Sequence, residues 1–177
     1  MFTQKEIYIK AKQIKLIIFD VDGVLTDGGI YISDDGSEFK RFNSLDGHGI
    51  KMLTEFNIEP AIISARSSKS VEHRMLKLGV KHIYQDQNNK LVAYNKLLKN
   101  LSLKPEQIAY MGDDVIDLPV MSKIGLPVAV SNAHELVKER ACIVTSNAGG
   151  NGAVREVCDL LLKSQNLYDK AINRYLD

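Results

Sequence analysis

Asp20 and Asp22 stand two residues apart at the end of an apolar run over residues 14–19, and Asp113, Asp114 and Asp117 crowd together after a second apolar run over residues 108–111. Side chains at i and i+2 of a strand point the same way. Two carboxylates so placed repel, and one takes up a proton unless a cation intervenes. A divalent cation resolves the conflict, and Asp113 can complete an all-oxygen donor set. Hard oxygen donors with no Cys or His among them suit Mg²⁺, which keeps several waters and commonly joins a substrate phosphate. A carboxylate beside such an ion can attack phosphorus and form an aspartyl phosphate, because the ion neutralises the charge that would repel an anionic nucleophile. Asp20 is the candidate nucleophile. Its neighbour Asp22 can protonate the leaving oxygen and then deprotonate a water. Ser64 offers a hydroxyl to a phosphoryl oxygen, and Lys90, at the start of a helical pattern, offers a fixed positive charge that Asp117 can hold in place. The plainer alternative is a turn capped by Asp20 and Asp22 with the help of Gly23, and a solvated helix lysine at position 90.

The elements that must position these residues alternate between strand and helix. Strand-like runs cover residues 14–19, 61–63, 82–84, 108–111, 128–130 and 143–144, and helical spacing covers 47–56, 70–78, 90–101, 115–124, 134–141 and 152–164. The runs over 14–19 and 61–63 are mainly apolar, as strands buried on both faces of a parallel sheet are. Residues 28–33 and 37–42 are also strand-like and are joined by Asp34-Asp35-Gly36, a hairpin turn signal. This pattern predicts an α/β, doubly wound parallel sheet with an early β-hairpin. In such folds, sites form beyond the carboxyl ends of the strands. Asp20 and Asp22, Ser64 and Arg66, and Asp113, Asp114 and Asp117 all follow predicted strands, so one edge should gather them.

The segments Asp20-Val21-Asp22-Gly23-Val24, Ser64, Lys90 and Gly112-Asp113-Asp114-Val115-Ile116-Asp117 resemble, in order, the motifs of the haloacid dehalogenase-type phosphatases. The resemblance implies Asp20 as nucleophile and Asp22 as general acid/base. It implies Mg²⁺ held by Asp20, the backbone carbonyl of Asp22 and Asp113, with Asp114 in support and Asp117 as the partner of Lys90. Residues 21–27 with the hairpin, Asp46-Gly47-His48-Gly49-Ile50, Arg66, Arg74 and Gly149-Gly150-Asn151-Gly152-Ala153-Val154-Arg155-Glu156 are similar to capless members that act on keto-acid sugar phosphates, over roughly residues 12–165. That closer resemblance implies hydrolysis of 3-deoxy-D-manno-octulosonate 8-phosphate in lipopolysaccharide synthesis. It implies substrate contacts at Asp22, Asn43, Ser44, Leu45, Asp46, Gly47, Lys51, Arg66, Arg74 and Lys90, and assembly as a homotetramer. The family's segment carries an arginine where this chain has Leu45, which removes one cation from the implied grip on the sugar acid. Taken alone, Lys51 and Arg74 read equally well as surface charges. Only a hairpin and one helix separate Asp22 from Ser64, too little for a cap, so the tail after Ser164 is a candidate to cross to a neighbouring subunit.

The 177 residues fit one domain, with 165–177 as a C-terminal tail, and the net charge of +1 comes without a basic block of the kind that binds nucleic acid. Residues 1–13 carry no apolar signal core, and no apolar run is long enough to cross a bilayer, so the expected location is cytoplasmic. Cys142 and Cys158 read as buried, reduced thiols. His73, His82 and His134 show no metal spacing, whereas His48 sits in the substrate-side segment. The glycines at 149, 150 and 152 either bend a loop near the site, present N–H groups to an anion or form a turn. A receiver-like signalling domain would carry its acceptor Asp on the third strand, where this chain has Ser64. A phosphatase for a nine-carbon keto-acid sugar phosphate, and a non-catalytic assembly protein, remain as alternatives.

Overall fold

A computed structural model describes residues 2–176. Its elements in order are α1 (Gln4–Ala11), β1 (Leu16–Phe19), β2 (Tyr31–Ile32), β3 (Glu38–Phe39), α2 (Ser44–Glu55), β4 (Glu59–Ile63), α3 (Lys69–Lys77), β5 (His82–Tyr84), α4 (Lys90–Leu101), β6 (Ile108–Gly112), α5 (Leu118–Met121), β7 (Leu126–Ala129), α6 (Glu135–Arg140), β8 (Ile143–Val144), α7 (Ala153–Ser164) and α8 (Tyr168–Asn173). Six strands form one parallel sheet in the order β5-β4-β1-β6-β7-β8, and β2 and β3 pair antiparallel as a separate hairpin.

The chain lays β4 and β5 on one side of β1, then returns to lay β6, β7 and β8 on the other. Strand order therefore reverses at β1, and a crevice opens at its carboxyl end. All four residues of β1 are buried, as a central strand covered on both faces requires. Right-handed crossovers put α2 and α3 on one face and α4, α5 and α6 on the other. After β8, α7 comes back to pack on α2 and α1.

Three differences from the sequence reading have local causes. Residues 4–11 form α1, closed by a capping box in which Thr3 N donates to Glu6 Oε2 at 2.7 Å and Glu6 N donates to Thr3 Oγ1 at 3.3 Å. The pattern over residues 115–124 breaks into a 3-10 turn, Val115–Asp117, and the short α5, because Pro119 sits inside it. The tail after Ser164 holds α8, whose Ala171 is buried, and Arg174 pairs with Glu55 of the same chain at 2.6 Å. Within the chain, α8 packs on α7, and Arg174 and Tyr175 beyond it reach Glu55 and His48 of α2.

Candidate active site

Asp20 follows β1 directly, and its N–H donates to Met111 O at 3.0 Å, which extends the β1–β6 ladder by one bond. The carboxylate thus sits in a gap between strand ends, almost wholly buried. Lys90 reaches it from the first position of α4. Asn89 caps that helix by accepting from Leu91 N at 3.2 Å, which fixes where the helix starts and where Lys90 points. Lys90 Nζ lies 2.8 Å from Asp20 Oδ1 and 2.6 Å from Asp117 Oδ1, with its side chain only 2% exposed. It also donates to the Tyr110 hydroxyl at 3.3 Å.

Asp117 accepts more than any other side chain of the site. Its Oδ1 takes Lys90 and the Tyr110 hydroxyl (2.7 Å), and its Oδ2 takes the N–H groups of Asp113 (3.0 Å) and Asp114 (3.3 Å). This carboxylate ties the loop after β6 to the lysine. Oxygens of Asp20, Asp113 and Asp117 lie within 4.8 Å of one another. Because both Asp117 oxygens serve protein donors, Asp20 and Asp113 are the carboxylates left to face a cation.

Their titration reflects the same crowding. Burial, then the charge of Asp117, raises Asp20 to about 6 against the pull of Lys90. Burial, then the charges of Asp20 and Asp117, raises Asp113 to about 8. Two desolvated carboxylates facing each other are poor neighbours without a cation. The donors are all oxygen, so the residues fit a hard divalent ion such as Mg²⁺. Gly23 makes the approach possible. It takes φ +88°, and a Cβ there would run into the Asp113 carboxylate. Thr26 holds that turn, accepting from Gly23 N and donating to Val21 O, both at 3.3 Å.

Ser64 follows β4, is buried, and its Oγ accepts from Arg66 N at 3.2 Å. A cavity of about 230 Å³ opens above these strand ends, lined by Asp20, Asp22, Ser64, Arg66, Asp113 and Asp114, among others. The Asp22 carboxylate lies at its side and pairs with Lys40 Nζ at 2.5 Å.

The α2 segment lies outside that lining. Asn43 caps α2 by accepting from Leu45 N at 2.8 Å and donates to Gly150 O at 3.3 Å. Ser44, Leu45 and Lys51 are exposed, and Arg74 lies across Gly47, where a Cβ would meet its guanidinium. Asp46 is buried, and its carboxylate accepts from Gly152 N at 3.3 Å and Arg155 N at 2.8 Å, so it caps the start of α7.

A family model described as haloacid dehalogenase-like hydrolase matches residues 77–157. The 3-deoxy-D-manno-octulosonate 8-phosphate phosphatase of Salmonella typhi is 56% identical over 162 residues, spanning 92% of this chain and 86% of that protein. This chain belongs to the haloacid dehalogenase-like hydrolases. Within that group, a 3-deoxy-D-manno-octulosonate 8-phosphate phosphatase from Moraxella catarrhalis has been solved with a magnesium ion, a phosphate ion and a KDO molecule. It is 43% identical, with a TM-score of 0.95, over 98% of this chain and 99% of that one. The cobalt-bound phosphatase from Haemophilus influenzae is 40% identical, with a TM-score of 0.86, over 90% of this chain and 93% of that one.

Two features of this hydrolase escaped sequence reasoning, and a third stood there as one of three alternatives. Tyr110 is fully buried at the centre of the Lys90–Asp117 pair, yet a tyrosine inside an apolar strand gives no sign of its hydroxyl's partner. Lys40 meets Asp22 from a hairpin 18 residues on, and no spacing rule connects them. Gly149 and Gly150 are needed for close backbone approach. A Cβ at Gly149 would overlap Gly23 O, and one at Gly150, with φ +66°, would meet the Thr26–Asp27 peptide. Gly150 N donates to Val24 O at 2.9 Å, so this loop clamps the turn that carries Asp22 and Gly23.

Proposed function

We propose that this protein hydrolyses 3-deoxy-D-manno-octulosonate 8-phosphate to the free sugar acid and inorganic phosphate, with Mg²⁺, in lipopolysaccharide biosynthesis. The observation that carries this reading is the buried Asp20 carboxylate, oriented by Lys90 at 2.8 Å beside Asp113, at the floor of a cavity rimmed by Ser64 and Arg66. Asp20, Asp113 and the Asp22 carbonyl would hold the ion, with Asp114 in support. Bound there, the ion supplies charge neutralisation for the phosphate.

The steps then belong to the chain's own residues. An Asp20 oxygen attacks phosphorus and forms an O–P bond while the bond from phosphorus to the sugar oxygen breaks. Asp22 gives that oxygen a proton. Asp22 next takes a proton from water, which attacks phosphorus, releases phosphate and restores the Asp20 carboxylate. Ser64 holds a phosphoryl oxygen, and Lys90, fixed by Asp117, stabilises the charge that spreads over the transferring group. Arg66 suits the substrate's carboxylate, since a guanidinium matches it with a planar fork. Asn43, Ser44, Leu45, Gly47, Lys51 and Arg74 are assigned to the sugar-acid end, outside the phosphate cavity.

The same reading includes a homotetramer in the cytoplasm. Ile30, Ile32 and Phe39 on the hairpin are each more than half exposed, an apolar patch of the kind that subunit contacts cover. Both cysteines are free thiols, which fits a reducing compartment, and among the described residues no helix is long and apolar enough to cross a membrane.

The test is phosphate release from a panel of sugar phosphates, with Mg²⁺ and with a chelator. Metal-dependent preference for the eight-carbon keto-acid phosphate is expected. Preference for the nine-carbon homologue would reassign the substrate, and no release from any of them would remove the enzymatic reading.

A further inference from the structure

The hairpin sets a carboxylate against Arg66, one of the residues that line the cavity, and the proposed reaction gives that carboxylate no task. Glu38, on β3, has Oε2 2.6 Å from a terminal nitrogen of Arg66 and Oε1 3.1 Å from Lys40 Nζ. Lys40 in turn reaches Asp22, and its side chain is 4% exposed. Among the described residues, Glu38 is the one side chain that receives a hydrogen bond from Arg66. The contact with Lys40 holds the Glu38 carboxyl below its usual range, and Arg66 adds to the effect, so Glu38 is an anion at neutral pH.

We propose that Glu38 is an internal stand-in for the substrate's carboxylate, holding Arg66 at the cavity until a keto-acid sugar phosphate exchanges with it. The inference rests on the proposed function and adds a specificity-determining residue to it.

Three observations support an exchange rather than a fixed buttress. First, the Glu38 and Arg66 side chains are 34% and 45% exposed, and an ion pair that open to water contributes little and is readily broken. Secondly, Glu38 and Phe39 are successive residues of β3 and point to opposite faces, so the Glu38 side chain can turn away from Arg66 while Phe39 stays in its contact. Thirdly, Arg66 follows Ser64 on the rim of the cavity, on the outward side of the buried Asp20 and Lys90. A phosphate directed at Asp20 leaves the far end of its sugar near Arg66. A carboxylate there can replace the Glu38 oxygen on the guanidinium. A neutral ester cannot, and Glu38 stays in place. Discrimination then comes from an internal competitor as well as from an attractive cation.

The experiment compares wild type, Glu38→Gln, Arg66→Ala and the double variant, with saturating Mg²⁺. The substrates are 3-deoxy-D-manno-octulosonate 8-phosphate and p-nitrophenyl phosphate, which lacks a carboxylate. Glutamine keeps the size of the side chain and removes its charge. Glu38→Gln is expected to lower KM for the keto-acid sugar phosphate by about two- to fivefold, the scale of one exposed ion pair. Its kcat, its KM for p-nitrophenyl phosphate and its Tm should hold. Arg66→Ala should raise KM for the keto-acid substrate, and adding Glu38→Gln to it should then change nothing. An unchanged or raised KM in Glu38→Gln, in a wild type that turns the sugar phosphate over, overturns the inference alone. A lower Tm with an unchanged KM would identify a buttress and overturn it equally. Failure of the wild type to release phosphate from the sugar phosphate overturns the proposed function and this inference together.

Discussion

Replacing Lys90 with methionine probes the one buried cation among the described residues. Methionine keeps the apolar stem and removes an ammonium that lies 2.8 Å from Asp20, 2.6 Å from Asp117 and 3.3 Å from the Tyr110 hydroxyl. Asp117 is fully buried and Asp20 nearly so, leaving two carboxylates without their shared cation. Removing one partner of a buried ion pair costs about 3–5 kcal/mol. For a chain of this size each kcal/mol lowers Tm by about 2–4 °C, so a fall of about 6–20 °C is expected. Thermal unfolding followed by circular dichroism, at pH 7 in a chelator, measures it. Adding Asp117→Asn should recover part of the loss, because one of the stranded charges goes. Turnover of Lys90→Met at saturating Mg²⁺ should fall by about 10²- to 10³-fold, the usual cost of losing one oriented charge stabiliser. A Tm within about 2 °C of wild type, with kcat unchanged, would refute the argument that Lys90 neutralises this site.

Two further outcomes follow from the same geometry. In metal-free protein, Asp20 at about 6 and Asp113 at about 8 bind protons more tightly than in the unfolded chain, whose reference value is 3.8. The folded state therefore holds extra protons, and these groups cost stability progressively as pH rises from 3.8 to about 8. Burial lowers His48 below 6.5, which works in the opposite direction, so the readout is the difference in Tm between Mg²⁺ and chelator. That difference should grow from pH 5 to pH 8, and a flat or shrinking difference would contradict the assignment of Asp20 and Asp113 as ion ligands. Asp46→Ala should lower stability by about 1–2 kcal/mol through loss of the α7 cap while leaving KM unchanged, as denaturant unfolding and steady-state kinetics will show. A raised KM with normal stability would return Asp46 to the substrate.

Much of this protein is legible one residue at a time. Short apolar runs, alternating with helical spacing, specify strands buried on both faces, and hence a parallel sheet with its site at the strand ends. Asp20, Ser64 and Asp113 each follow such a run, so their convergence needs no knowledge of distances. Asn89 marks the start of α4 and therefore the placement of Lys90. These are local signals, carried by residue type and period. The capping box of α1 is equally local, in Thr3 and Glu6, although weak amphipathic patterning hides that helix. What the sequence left open depends on contacts between distant segments. Asp46 reads as a substrate residue in its motif, but the return of α7 onto α2 directs it to two backbone amides. The glycines after residue 148 read equally as a bend in a loop near the site, an anion nest or a turn. Only their approach to the loop after β1, so close that a Cβ would overlap backbone, shows that they clamp it. Lys40, Glu38 and Arg66 come from a hairpin and a strand end that no period links. Local propensity determines which elements form and which residues end them. Packing of those elements decides which polar groups are already satisfied by the protein and which remain to meet a ligand.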